Sequence, residues 1–432
     1  MARIAIIGTG ISGLGAAFLL NSDHEITVYE RQGRIGGHSR TVTVDYDGRA
    51  IPVDTGFIVF NKTNYPNLTG LFGQLGVPVH KSDMSFAATI NKGWLEWGAC
   101  DLNAIFGQRR NLFSPRFARL VRDVFRFNTQ AERVVEANPE FTLGALISHL
   151  GLGDWFRRYY ILPMAGAIWS CPTSQMMLFP ARSLVRFFAN HHLLSVSGQP
   201  QWYTVTGGSQ EYVRRLTASF GNRVRVACGA VAITRAGGKV QVRDSAGGTA
   251  EYDEVVMACH GDEALALLQD ADERERAALS PFHYQRNVAV VHRDVRVMPR
   301  RRRCWASWVY SSDGAPDASG ITIHYWMNRL QSIDPACPLF VSLNPAEEIP
   351  GHLVFDRHEF DHPVFDSAAI AAQPRVHAMQ GLRNTWFCGA HLGHGFHEDG
   401  LASAVTVARL MGSDIPWFND AQPALIRKRA AA

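Results

Sequence analysis

The stretch Ile4-Ala5-Ile6-Ile7-Gly8-Thr9-Gly10-Ile11-Ser12-Gly13 limits this chain more tightly than any other part of it. An apolar run of four reads as a buried parallel strand, and Leu14 to Leu20 as the helix that follows. Between them the glycines have separate jobs. Gly8 makes the turn, Gly10 lets the backbone approach a pyrophosphate, and Gly13 lets helix and strand pack closely. The helix N-terminus then offers free N–H groups and a positive dipole end to phosphate. A second strand, Glu25-Ile26-Thr27-Val28-Tyr29, delivers Glu30, which follows Gly10 at the spacing of a ribose-binding carboxylate. These observations predict a dinucleotide site in a doubly wound α/β unit.

The loop beyond Glu30 narrows the ligand. Arg31-Gln32-Gly33-Arg34-Ile35-Gly36-Gly37-His38-Ser39-Arg40-Thr41 resembles the second fingerprint of the flavin amine oxidase and phytoene desaturase superfamily. The resemblance implies FAD, with contacts from Ile11, Ser12, Glu30, Arg31, Arg34, Gly36, Gly37, His38 and Ser39, and with Arg34 or Arg40 on phosphate. A second match lies far along the chain. Asn384 to Ala390 reads as a short strand ending at Gly389, followed by His394-Gly395-Phe396-His397-Glu398-Asp399-Gly400-Leu401 and a helix from Leu401 to Met411. This is similar to the closing motif of that superfamily. There a helix N-terminus stabilises the negative charge of reduced flavin, and Gly389, Gly400 and Leu401 are the expected contacts. The pair Val224-Arg225-Val226 and Asp253 to Cys259 looks like the adenine-side strands, with Val231 as a backbone contact.

The fold this implies is α/β, α+β overall: a Rossmann-like FAD-binding domain of the glutathione-reductase and amine-oxidase type, carrying an inserted mixed α+β substrate domain. The FAD domain is discontinuous, at residues 1–75, 200–260 and 375–415. The inserts 76–199 and 261–374 form the substrate domain, and 416–432 a C-terminal tail. Tyr284 to His292, Pro299 to Tyr310 and Tyr325 to Gln331 resemble a bacterial NAD/FAD-binding branch associated with cyclopropane or branched fatty-acid biosynthesis. That resemblance points to a lipid or fatty acyl substrate.

Composition excludes several classes. No run of eighteen apolar residues exists, so no spanning helix is expected. The chain enters its first strand at once, and its seven scattered cysteines contain no CxxC. A reducing, cytoplasmic setting is expected, with peripheral contact at the inner membrane. The net charge of +4 is carried almost wholly by arginine. Arg300-Arg301-Arg302-Arg303 reads as a solvated turn in preference to a headgroup patch. The helix bearing Arg116, Arg119, Arg122, Arg126 and Arg133 reads as packed on its own domain in preference to a membrane. No recognition module for nucleic acid accompanies either cluster. Trp169, Trp202, Trp305, Trp308 and Trp326 suit an apolar tunnel and a core equally well.

Two departures bear on the chemistry. No lysine occurs between Lys239 and Lys428, where amine oxidases of the superfamily place one near the flavin. The cysteine motif of covalent attachment is also missing from the closing segment, so the FAD is expected to be non-covalent. The candidate proton acceptors are His391, His394, His397, Glu398 and Asp399, although Glu398 and Asp399 equally suit helix capping. His394-x-x-His397-Glu398 lacks metal-site spacing, and no metal is expected. The expected function is an FAD-dependent oxidoreductase that moves hydride from a substrate C–H to flavin N5, desaturating or oxidising an acyl chain. An amine or amino-acid oxidase and a non-catalytic flavin-binding accessory or sensor are the alternatives.

Overall fold

The computed structural model describes residues 1–169, 176–194, 198–313 and 322–418. The side chain of Trp169 and most of the proposed tail, from residue 419 on, lie outside that set. A five-stranded parallel sheet organises the nucleotide-binding part, in the order 224–225, Glu25–Tyr29, Arg3–Ile7, Glu254–Met257 and Thr385–Phe387. Ile6 pairs with Val28 on one side and Val256 on the other, so the first strand is central and its side chains are buried on both faces. Helix Ile11–Leu20 follows it and is buried almost all round. It is pressed between this sheet and helix His397–Leu410, where a Cβ on Gly15 would run into Leu401 at 2.7 Å. A three-stranded antiparallel sheet (Ala230–Ala236, Lys239–Asp244, Thr249–Tyr252) covers the opposite side.

The second sheet has seven strands, ordered Val354–Val364, His283–His292, Phe340–Leu343, Thr322–Trp326, Trp308–Ser312, Phe86–Ile90 and Leu95–Gly98. Phe86–Ile90 joins it by pairing parallel with Trp308–Ser312, so segments far apart in sequence build one surface. Helices Pro115–Ala137, Leu143–His149 and Ala181–Asn190 contribute Phe117, Phe127, Leu146 and Phe188 to a core shared with Ala88 and Val341 of this sheet. The arginine-bearing helix thus buries an apolar face against its neighbouring helices and the seven-stranded sheet. Phe125 is half exposed, while Asp123 lies on the inner face, accepts from Gly153 N at 2.8 Å and pairs with Arg119 and Arg122.

Candidate functional site

The glycine turn closes against the sheet. Gly8 adopts φ +105, where a side chain is strained, and its N–H donates to Tyr29 O at 2.9 Å. A Cβ on Gly13 would sit well inside contact distance of the Gly8 carbonyl. A Cβ on Gly10, in contrast, meets no atom within 4 Å, because that position faces open cavity. No side chain caps Gly10, so the first-turn N–H groups of the ten-residue helix are left for a ligand. Gly37 (φ +56) crosses directly over Gly10, and a Cβ there would meet Gly10 Cα at 2.9 Å. Glu30 is held at the cavity edge: it accepts from Gln32 N at 2.7 Å, from Thr9 N at 3.1 Å and from the Thr9 hydroxyl. A bare helix N-terminus, a glycine cradle and a fixed carboxylate at the next strand end are what a dinucleotide's pyrophosphate and ribose require, so the residues present fit FAD.

From this cradle a cavity of about 760 Å³ runs into the second half of the molecule. The two ends differ in chemistry. Glu30, Arg31, Arg34 and Glu263 line the nucleotide end. Arg34 donates to Gly37 O at 2.8 Å and faces His358 Nε2 at 3.3 Å, and burial followed by the nearby Arg40 lowers its pKa. Arg40 itself is taken by Asp356, bidentate at 2.7 and 3.0 Å, which leaves Arg34 as the phosphate candidate. The far end is lined by Ile58, Tyr65, Met84, Phe86, Met164, Ile168, Phe187, Trp202, Trp308, Tyr325, Leu343 and Phe360. Glu359 and Asp361 reach the lining only from strand Val354–Val364, and their largely exposed carboxylates pair with Arg286 at 3.3 and 3.8 Å. No lysine lines the cavity among the described residues.

Histidines supply much of the cavity's polarity. Burial pushes His191 and His362 down to about 4 and His391 and His397 down to about 3, and it holds His38 well below the ordinary value. All five are neutral at neutral pH. His397 lies stacked on Phe57 (centroids 3.9 Å apart), with Nε2 2.7 Å from the Tyr212 hydroxyl and 3.0 Å from Ser39 Oγ. His38 stacks on Phe360, and its Nε2 is buried without a protein partner, as is Trp308 Nε1.

The residues expected from sequence divide into two groups. Gly8, Gly10, Ile11, Ser12, Glu30, Arg31, Arg34, Gly37, His38, Val231, Gly389, His391, His394 and His397 line the one cavity. Gly13, Gly36, Ser39, Gly400, Leu401, Glu398 and Asp399 do not. Gly13 and Gly36 serve the close packing of the turns, and Ser39 is turned toward Tyr212 and His397. The closing helix starts at His397, one turn earlier than the sequence suggests, so Gly400 packs on Ile11 and Ser12 and Leu401 is buried against Gly15. Glu398 caps another helix, accepting from Asn67 N, Asn67 Nδ2 and Leu68 N at 2.7–3.0 Å. Asp399 accepts from Phe396 N at 2.8 Å and caps its own helix. Neither carboxylate is placed to take a proton from a substrate in the cavity.

The cavity is also lined by residues that no site motif in the sequence marks: His260 and Tyr284, stacked 4.0 Å apart beside His391, and His358, Phe360 and His362 on strand Val354–Val364. The last three alternate with Glu359 and Asp361, a period of two that marks one strand face turned inward.

Residues 11–298 match the model of the flavin-containing amine oxidoreductase family. The chain belongs to this family. Among curated relatives, AofH of Mycobacterium tuberculosis, whose name places it with flavin-containing monoamine oxidases, is 26% identical over 270 residues. That match covers 59% of this chain and 56% of AofH, so the chain spans little more than half the relative's length. Solved structures share the fold across nearly the whole chain. A fatty acid isomerase from P. acnes that produces CLA superposes with a TM-score of 0.66 at 17% identity, covering 94% of this chain and 98% of that one. A putrescine oxidase variant gives 0.67 at 14% (95% and 98%), and cyclohexylamine oxidase from Brevibacterium oxydans 0.63 at 15% (95% and 99%). Membership of this flavin-containing family agrees with the fit of the glycine cradle and Glu30 to FAD.

Proposed function

We propose that this flavin amine oxidoreductase oxidises a fatty acyl chain at an activated, for example allylic, C–H bond. One observation carries the reading: the far end of the cavity has apolar and aromatic walls, neutral histidines, and no lysine or inward carboxylate among the described residues. An ammonium ion buried there would meet no counter-charge, whereas a hydrocarbon chain loses nothing on leaving water. FAD, when bound, supplies the two-electron acceptor for hydride, and dioxygen or a quinone serves as final electron acceptor.

The chain's own residues do the rest. Tyr65, Phe86, Trp308 and Tyr325 exclude water and orient the acyl chain against the cofactor. The proton released as the C=C bond forms goes to His394, which lines the cavity and lies within electrostatic reach of Asp399. His397, held neutral by burial and braced by Tyr212 and Phe57, positions rather than protonates. His394→Ala is expected to slow single-turnover flavin reduction about 100-fold, the lower end of what a positioned acid–base group supplies, with FAD content unchanged. Equal rates in the two proteins would remove His394 from that role.

The substrate class is tested by anaerobic incubation of the purified flavoprotein with bacterial lipid extract and, separately, with an amine panel. Bleaching of the oxidised-flavin band by lipid is expected. Bleaching by amines alone would replace the acyl reading with amine oxidation. Bleaching by neither would favour a non-catalytic flavin-binding role.

A further inference from the structure

A corner of the second half gathers residues that neither the nucleotide cradle nor the cavity wall uses. The turn at 91–94, helix Leu102–Ile105, the turn Arg109–Phe113 and the start of helix Pro115–Ala137 meet there. They are bound to one another. Arg109 donates to Phe106 O at 3.1 Å and to Asn103 Oδ1, Arg110 donates to the Trp94 carbonyl, and Asn111 Nδ2 donates to Glu96 O at 3.2 Å. The Trp94 ring lies 5.7 Å from Trp155 and 5.9 Å from Tyr159, which ties in the helical run beginning at Asp154. On this braced platform the apolar side chains point outward. Phe113 is 87% exposed, Leu102 74%, Leu112 53% and Trp94 42%. Such clustering within twenty residues is unlike the scattered surface leucines every protein carries.

The charge around these side chains is net positive. Arg109, Arg110 and Arg116 lie on the same segment. Arg300 flanks Gly93, where a Cβ would meet its Cδ at 3.0 Å, and Arg303 flanks Gly107. The neighbouring acids are already engaged: Glu96 by Arg301 at 2.9 Å, Asp154 by Arg157 at 2.6 Å, Glu347 by Lys92 at 2.9 Å, and Asp101 as the cap on Ala104 N. Protruding apolar anchors ringed by arginine match the interface of an anionic bilayer, where the anchors enter the headgroup layer and guanidinium meets phosphate. Nucleic acid gives the anchors no counterpart, and a second copy presenting the same corner would oppose like charges.

We propose that this corner docks on an anionic lipid bilayer and sets the cavity beside its acyl chains. The helical run that carries Trp155 and Tyr159 at the corner continues into Leu162–Trp169, whose Met164 and Ile168 line the cavity. Tyr159 and Ile168 are nine residues apart, about 14 Å along a helix. The delivery of substrate from the membrane rests on the acyl reading above; the docking does not.

The test is flotation of the full-length, FAD-loaded protein with vesicles of phosphatidylcholine alone and of phosphatidylcholine mixed with phosphatidylglycerol. At least about tenfold more protein is expected on the anionic vesicles. Phe113→Asp combined with Leu112→Asp should abolish that excess with flavin content unchanged, because both side chains are exposed. Leu382→Asp, at another exposed leucine, should leave it intact. Equal binding to both vesicle types, binding that survives the double substitution, or a preference for duplex DNA overturns the proposal. So does a dimer that the double substitution disperses in place of vesicle binding. Flotation without flavin bleaching by lipid would retire the acyl substrate and keep the docking; bleaching without flotation would do the reverse.

Discussion

Gly13→Ala is expected to give protein that purifies colourless and stays so after soaking with FAD. The added methyl would overlap the Gly8 carbonyl and come within 3.2 Å of the Ala258 Cβ, and neither a backbone atom nor a residue tied to the end of the sheet can yield cheaply. Overpacking of this kind costs about 1–3 kcal/mol. The lost cofactor removes roughly another 3 kcal/mol of linked stabilisation at a hundredfold excess of FAD over its dissociation constant. Gly10→Ala separates the two effects. Gly10 has φ −66, which any residue adopts, and its Cβ would meet nothing in the protein. The Gly10→Ala protein is expected to fold as stably as unliganded wild type, within about 0.5 kcal/mol, yet to bind FAD at least about tenfold more weakly, because the methyl occupies the place of the pyrophosphate. Thermal melts with and without FAD, together with the visible spectrum, check both. A yellow Gly13→Ala protein, or a Gly10→Ala protein with full affinity, would contradict the cradle.

The contrast between these glycines shows what the sequence makes legible. Gly8, Gly10, Gly13 and Glu30 lie on one strand–turn–helix–strand unit, so spacing alone places them. Gly389 and His397 needed a second recognisable segment, and they fall on the same cavity although nearly 400 residues separate them from Gly8. What spacing could not show is which neighbour claims a side chain. Arg34 and Arg40 look equivalent in the loop, but Asp356, on a strand of the other sheet, takes Arg40 and leaves Arg34. Glu398 and Asp399 sit among histidines in sequence, yet a helix rotates each residue by about 100° from the last. Glu398 is thereby turned onto the helix at Asn67, and Asp399 back onto Phe396 N. The inward stripe His358, Phe360, His362 has a period of two that is readable in principle, but only the pairing of its strand with His283–His292 says which face is inside.

Asp54→Ala is expected to destabilise the protein by about 3 kcal/mol and to speed FAD loss, whereas Asp54→Asn should be tolerated in a pH-dependent way. Asp54 is fully buried and clamps three segments. It accepts from Thr41 Oγ1 at 2.6 Å, from Ser209 N at 2.8 Å and Oγ at 2.7 Å, and from Gln331 Nε2 at 3.0 Å. The loop after it, Thr55 to Val59, lines the cavity, and the helix after Ser209 carries Tyr212, the partner of His397. Alanine would orphan Ser209 N and Gln331 Nε2 and loosen both walls. Burial pushes the Asp54 carboxyl from 3.8 up to about 6, against the hydrogen bonds that pull it down. The Thr41 and Ser209 hydroxyls can turn from donating to accepting, so the clamp holds the protonated acid as well as the carboxylate. A folded-state pKa above the unfolded one means that the folded protein binds the extra proton. Stability from this group is therefore full below about pH 4 and is lost as pH rises through about 6, by roughly 3 kcal/mol. Asparagine mimics the neutral acid and does not titrate. The stability difference between Asp54→Asn and wild type should accordingly move in favour of the variant by about that amount from pH 4 to pH 7. Denaturant titrations of both proteins across that range decide it: parallel curves would mean that Asp54 stays ionised throughout, and that its four donors outweigh its burial.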